Sequence, residues 1–233
     1  TLRLGFRQVK GLKEEEVELL ITGRTRPYGS VHELRELGLS ESALERLADA
    51  DAFRSIGLDR RQALWEVSTK DHLHKALFSS QQQNEHEQKV DLPEMQLSEH
   101  VIQDYASTSL SIKAHPVSFL REQLSRLGIT PNFALANAKV AGLVLVRQRP
   151  GTASGICFIT IEDETGIANL VVFKKLFDKY RKEIIQSKLL MVEGQLQKEG
   201  EVIHVIAKRL FNLSGMLQQL TARQKQELSL KPM

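Results

Sequence analysis

Up to about residue 130 the hydrophobic positions of this chain recur every third or fourth residue, and from Ala138 they recur every second. The first spacing is that of helices, the second that of half-buried strands. In the helical part, Val17, Leu20 and Ile21 mark a helix over 13–22 that stops at Gly23. Ser30 can cap a short helix carrying Val31, Leu34 and Leu37. Ala43, Leu44, Leu47 and Ala48 line one face of the next, and a further helix is expected from Asp59 through Ala63, Leu64 and Val67, with Trp65 packed against the others. An apolar-Gly-apolar step separates short helices twice, at Val9-Lys10-Gly11-Leu12 and at Leu37-Gly38-Leu39-Ser40. This is a helix-hairpin-helix signature, and it is equally the pattern of ordinary packed helices that end in Gly C-caps. Glycine supplies a backbone conformation with φ > 0, and its missing side chain lets a phosphate approach the amides that open the following helix.

Residues 79–91 are polar and aperiodic and read as a linker. Helices are expected over 98–106 and from Pro116, the latter carrying Phe119, Leu120, Leu124 and Leu127 and ending at Gly128. Strands follow over 138–147, 156–162 and 167–173. Next come an amphipathic helix over 174–186 presenting Leu176, Phe177, Tyr180 and Ile184, a strand over 188–198, a hairpin turn at Glu199-Gly200 and a last strand over 201–211. Three strands, a helix and two strands are the order of an oligonucleotide-binding (OB) barrel with its helix plugging one end. The expected fold class is α+β and multi-domain: an all-α helix-hairpin-helix domain over 1–70, a polar linker and helical connector over 71–130, a five-stranded OB-fold β-barrel over 131–215 and a tail over 216–233.

With 233 residues the chain is long enough for two cores, and its 41% hydrophobic and 26% charged content is ordinary for a soluble protein. No apolar run approaches the roughly 20 residues that span a bilayer, and no apolar leader opens the chain, so a cytoplasmic protein with no membrane partner is expected. The lone Cys157 excludes an internal disulfide framework and a thiolate metal cluster. The net charge of +3 is uneven: Lys+Arg against Asp+Glu is 12 to 12 over residues 1–70, 5 to 8 over 71–130 and 12 to 8 over 131–215. The positive excess therefore lies on the barrel, where phosphate binding would use it.

Alternation assigns the barrel's faces. Cys157, Ile159 and Ile161, with Leu170 and Val172, form an apolar set for the core, which leaves Phe158, Thr160, Asn169 and Phe173 outside. Aromatic rings on such a surface stack on bases, and Arg147, Arg149, Lys174, Lys175 and Lys198 stand where loops and strand ends would meet a phosphate backbone. Lys10, Gly11 and Lys13 at the first hairpin, with Gly38 and Ser40 at the second, are the corresponding candidates for duplex backbone contact. Glu162-Asp163-Glu164, a cluster that could hold Mg²⁺, reads instead as a solvated turn closed by Thr165-Gly166. The histidines, His72 and His74 among them, show no metal-ligand spacing; neither GxxxxGK[ST] nor a dinucleotide fingerprint occurs, and no catalytic residue or cofactor site is assigned.

Several blocks occur in an order that resembles bacterial C-family DNA polymerases, the replicative α-type subunits and their error-prone relatives. They are Leu2-Arg3-Leu4-Gly5-Phe6 with Val9–Leu12, then Asp104-Tyr105, Leu110-Ser111 and His115-Pro116, and Val140-Ala141-Gly142-Leu143-Val144 running into Gln148-Arg149-Pro150-Gly151-Thr152. Glu162-Asp163-Glu164-Thr165-Gly166 and Glu193-Gly194-Gln195-Leu196-Gln197 complete the set. The run from Gly57 to Trp65, and a chain stop about twenty residues after the last strand, are most similar to the error-prone branch, with the replicative α subunit as the alternative. The resemblance implies a piece of a DNA-directed DNA polymerase, a nucleotidyltransferase acting in replication and translesion repair. Its hairpins would hold duplex DNA, its barrel the single-stranded template, and its Mg²⁺-binding carboxylates would lie upstream. It also implies a sliding clamp and an inactive Y-family-like polymerase as partners, although Gln226–Leu230 matches a clamp-binding peptide only loosely. Two other readings of the barrel stay open from the residues alone: a docking surface for a partner protein, and an RNA-binding module of the anticodon-binding kind.

Overall fold

The computed structural model describes residues 3–68, 92–134, 139–152, 154–199 and 202–220. The linker at 79–91, His72 and His74, the turn residue Gly200 and the segment 226–230 lie outside the described residues. The chain divides into two compact units, residues 1–112 and 113–233.

The first unit is helical: α1 (Glu14–Thr22), α2 (Val31–Glu36), α3 (Glu41–Asp49), α4 (Arg60–Ser68) and α5 (Leu97–Thr108), with 3₁₀ turns at Phe6–Gln8 and Ala52–Ile56. Ser30 caps α2 by accepting from the Glu33 amide, as the sequence suggests, and Ser40 caps α3 by accepting from that of Ala43. One core joins Leu20, Val31, Leu34, Leu39, Ala43, Leu44, Leu47, Phe53, Ala63 and Val67. Two expected core residues are outside it. Trp65 is 47% exposed and Ile21 is 62% exposed, because the buried stripes of α4 and α1 run through Ala63 and Val67 and through Leu20 instead.

The second unit is a closed barrel of β1 (Lys139–Gln148), β2 (Cys157–Asp163), β3 (Gly166–Val172), β4 (Leu189–Glu199) and β5 (Val202–Asn212), in the order β1-β2-β3-β5-β4. β1 pairs with both β2 and β4 and carries a bulge between Val144 and Val146. Gly142 sits at that crossing, where a Cβ would lie 2.5 Å from the Glu162 carbonyl oxygen. β3 and β5 run parallel, and the other neighbours antiparallel. The interior is Val140, Ile159, Ile161, Leu170, Val172, Leu190, Val192 and Val205, closed at one end by Phe177 and Ile184. Those two come from α7 (Lys174–Lys179) and α8 (Arg181–Gln186), so the single helix expected over 174–186 is broken at Tyr180, which leaves helical geometry at φ −107°, ψ 28°.

The connector expected over 71–130 is apportioned between the units. α5 packs in the first, where the buried Arg60 of α4 donates to Asp104 and to the His100 carbonyl, and Arg61 makes a two-pronged pair with Glu99 at 2.7 and 2.9 Å. Residues 116–129, a 3₁₀ turn (Pro116–Leu120) and α6 (Arg121–Arg126), lay Val117, Leu120, Leu124 and Ile129 over Ala141, Leu189 and Met191 of the barrel. Apolar spacing alone does not say on which side of a linker a helix docks.

Candidate nucleic-acid interface

The register of β1, β2 and β3 fixes which side chains share the barrel's outer face. Gln148, Phe158 and Val171 form one rung, and Val146, Thr160 and Asn169 the next. Phe158 is 38% exposed and Phe173, diagonal to it past the end of β3, is 50% exposed, while Cys157, Ile159, Ile161, Leu170 and Val172 are buried as alternation requires. Thr160 Oγ1 donates to Asn169 Oδ1 at 3.2 Å, which fixes one end of that carboxamide.

The Arg149 guanidinium lies over the Phe177 ring at 4.6 Å, a cation–π contact that orders the side chain while leaving its in-plane N–H donors available. Gly155 of the β1–β2 loop is flanked by both Arg149 and Lys174, since a Cβ there would meet Lys174 Cδ at 3.1 Å and Arg149 Nη2 at 3.3 Å. The loop after β1 and the start of α7 thus bring Arg149 and Lys174 together beside Phe173, with Lys175 exposed next in sequence. Burial pushes the Cys157 thiol up from its ordinary value, against the pull of Arg149 and then Arg147.

Two of the expected cationic positions serve elsewhere. Arg147 Nε donates to the Ile184 carbonyl at 2.6 Å and its Nη2 to the Ser187 carbonyl, so this guanidinium caps the end of α8. Its partial burial lowers its pKa from the ordinary arginine value. Lys198 pairs with Ile203 on the β4–β5 hairpin, and Asn169 pairs with His204, which puts Lys198 toward the β2–β3 turn and away from the Arg149–Lys174 end.

In the hairpin unit, Gly11 and Gly38 adopt φ of +75° and +99°, the left-handed conformation the signature requires. The surroundings differ from those expected. Lys10 Nζ donates to the Tyr105 and Ala106 carbonyls at 3.0 and 2.8 Å, capping the end of α5. The guanidinium of Arg46 covers Gly11 and donates to the Lys10 carbonyl at 3.2 Å. The first turn of α1 carries Glu14, Glu15 and Glu16, which complement the helix dipole and oppose a phosphate there. Lys13 is exposed just before that turn, and its backbone amide donates to Glu16. The Ser40 hydroxyl is engaged by Ala43 N and by the Glu16 carboxylate. Gly38 N bonds back to Arg35 O and Leu39 N to Leu34 O, the paired bonds of a helix C-cap. The same pair recurs at Gly57, with φ +85°, within Ile56-Gly57-Leu58. The sequence carries this third apolar-Gly-apolar step as plainly as the two assigned to hairpins.

The carboxylate corner is not a solvated turn. Asp163 is buried and accepts from Arg121 Nη2 (2.8 Å), Asn132 N (2.8 Å), Thr165 N (2.8 Å), Thr165 Oγ1 (2.6 Å) and Gly166 N (3.1 Å), while Glu164 pairs with Arg121. With Asp163 saturated by protein donors, the trio is a poor fit for Mg²⁺. Among the described residues no group of three or more His, Cys, Asp or Glu could hold a metal ion. Hydrogen bonding to Glu164 raises the Arg121 pKa, and burial lowers that of His115 despite Glu162, Glu164 and Asp163 nearby.

Residues 1–63 match the helix-hairpin-helix motif family and residues 138–213 the OB-fold nucleic acid binding domain family. Over 229 residues it is 52% identical to error-prone DNA polymerase 1 of Rhizobium meliloti (strain 1021), covering 93% of this chain and 20% of that protein. It is 43% identical over 240 residues to the error-prone DNA polymerase of Brucella abortus biovar 1, covering 97% and 22%. The chain is thus a homologue of one segment of the error-prone DNA polymerases and spans about a fifth of the length of these curated relatives. Among solved structures, asparaginyl-tRNA synthetase from Pyrococcus horikoshii aligns at 24% identity over 32% of this chain and 19% of that one, with a TM-score of 0.28.

Proposed function

We propose that this chain is a DNA-holding segment of an error-prone DNA polymerase, with the barrel gripping single-stranded template. The observation that supports this most is the outer face of β2 and β3, where exposed Phe158 and Phe173 stand beside the ordered Arg149 and Lys174. Rings accept bases of any identity by stacking, and the two cations neutralise phosphates alongside. The hairpin unit has a supporting role in duplex contact: Lys13 is its exposed candidate cation, and Glu14, Glu15 and Glu16 keep phosphates away from the first turn of α1.

Template-directed nucleotidyl transfer with Mg²⁺ and deoxynucleoside triphosphates, in damage-tolerant synthesis in the cytoplasm, is assigned to the whole protein, and this segment contributes affinity and positioning. Its association with a sliding clamp and an inactive Y-family-like polymerase belongs to the same proposal. Among the described residues no helix is long and apolar enough to cross a membrane.

Titrating the chain with labelled oligo-dT and with a duplex of equal length at two salt concentrations tests the assignment. Tighter binding of oligo-dT, weakening as salt rises, is expected; salt-insensitive binding, or none at micromolar protein in low salt, would overturn it.

A further inference from the structure

The aromatic rung is followed by a polar one that continues past β3. Thr160 on β2 pairs with Asn169 on β3, and Asn169 pairs across the parallel ladder with His204 on β5. In-register neighbours share a face, so these three side chains form a polar strip one step from Phe158. Their hydrogen-bonding capacity is incompletely used. The Asn169 Oδ1 accepts from Thr160, leaving the carboxamide N–H donors without a partner among the described residues. The His204 Nδ1 is buried and makes no hydrogen bond, the one such orphan on this face among the described residues.

An unsatisfied buried nitrogen is costly, and a site built around one favours a ligand that supplies the missing partner. A half-turn of the imidazole about its broad χ2 exchanges the Nδ1 edge for the carbon edge, so the nitrogen can be turned toward a bound molecule. Stacking on Phe158 presents a base's hydrogen-bonding edge to the neighbouring rung, two residues and about 7 Å away along the strand.

We infer that Asn169 and His204 form a hydrogen-bonding subsite for the edge of a nucleobase, so that the barrel distinguishes bases by polar groups as well as holding them by stacking. Asn169 donates to a carbonyl oxygen or ring nitrogen, and His204 supplies a donor or an acceptor according to its tautomer. The inference rests on reading the β2–β3 face as a single-strand surface.

The test compares oligo-dT of about twelve nucleotides, within the usual span of such barrels, with the same oligomer carrying 2,4-difluorotoluene in place of thymine. That isostere keeps the shape and stacking of the base and removes its hydrogen bonding. At about fivefold per neutral hydrogen bond, the unaltered chain should prefer dT by about 25-fold. The double variant Asn169→Val/His204→Phe should bind both oligomers at the isostere's level, and His204→Gln, which keeps a hydrogen-bonding side chain, should retain part of the preference. Equal, salt-sensitive binding of both oligomers by the unaltered chain overturns the subsite and leaves the single-strand surface standing. A preference that survives the double variant also overturns it, and failure of both oligomers to bind overturns the surface and the subsite together.

Discussion

Arg60 lies 1% exposed against Asp104 in the hairpin unit, while Arg149 stands in the open over Phe177 on the barrel. The contrast extends to their neighbours. Around the first hairpin, Lys10 and Arg46 are both turned to backbone carbonyls and the following helix opens on three glutamates. Around the β1–β2 loop, Arg149, Lys174 and Lys175 face solvent next to an exposed aromatic ring. The barrel has the same inward use of arginine, in Arg121 on Asp163 and Arg147 on α8, and adds a second, outward set. Cations that staple helices to a core and cations that meet a polyanion are the same residue types, and only their partners separate them.

The sharpest way to break this contrast is Arg60→Ala. It leaves Asp104 buried without its guanidinium and should destabilise the hairpin unit by about 3–5 kcal/mol, read as a lower melting temperature, with oligo-dT affinity of the barrel little changed. Loss of oligo-dT binding without loss of stability would reverse the roles given to the two arginines. Next in size, Arg147→Gln strands the Ile184 and Ser187 carbonyls and should cost about 1–3 kcal/mol in barrel stability, with an unchanged dependence of oligo-dT affinity on salt. The charge reversals Arg149→Glu and Lys174→Glu should do the opposite, leaving stability within about 0.5 kcal/mol and lowering the salt slope by about 0.7 for each phosphate no longer neutralised.

The smallest effect concerns pH. Burial holds the His115 pKa below its ordinary value of 6.5, so the unfolded chain takes up a proton more readily than the folded one. Barrel stability supplied by neutral His115 is present above that value and declines as the pH falls through it. Melting curves at pH 7 and pH 5.5 should show the drop, smaller in His115→Asn; an identical drop in the variant would assign it to other groups.

Much of the barrel was legible from alternation. Ile159 and Ile161 against Phe158 and Thr160 fixed both faces of β2, because a strand has only two sides and one must be dry. The hairpin glycines were legible for a similar local reason, since φ > 0 constrains residue type. The fate of each cation was not. Arg147 and Arg149 are two residues apart, and whether a guanidinium meets a helix end or solvent depends on Ile184 and Ser187, which lie 37 and 40 positions further along. Asp163 looked solvated because the donors that bury it, Arg121 and Asn132, come from 42 and 31 positions upstream. Tertiary partners at such separations leave no periodic trace.

The central claim, that the exposed rings of β2 and β3 hold unpaired bases, is met most directly by fluorescence anisotropy of labelled oligo-dT against the chain and its Phe158→Ala/Phe173→Ala variant. At about 1–3 kcal/mol for each ring, the double variant should lose at least tenfold in affinity while its melting temperature and its salt slope stay close to those of the unaltered chain. Equal affinity of the two proteins would contradict it.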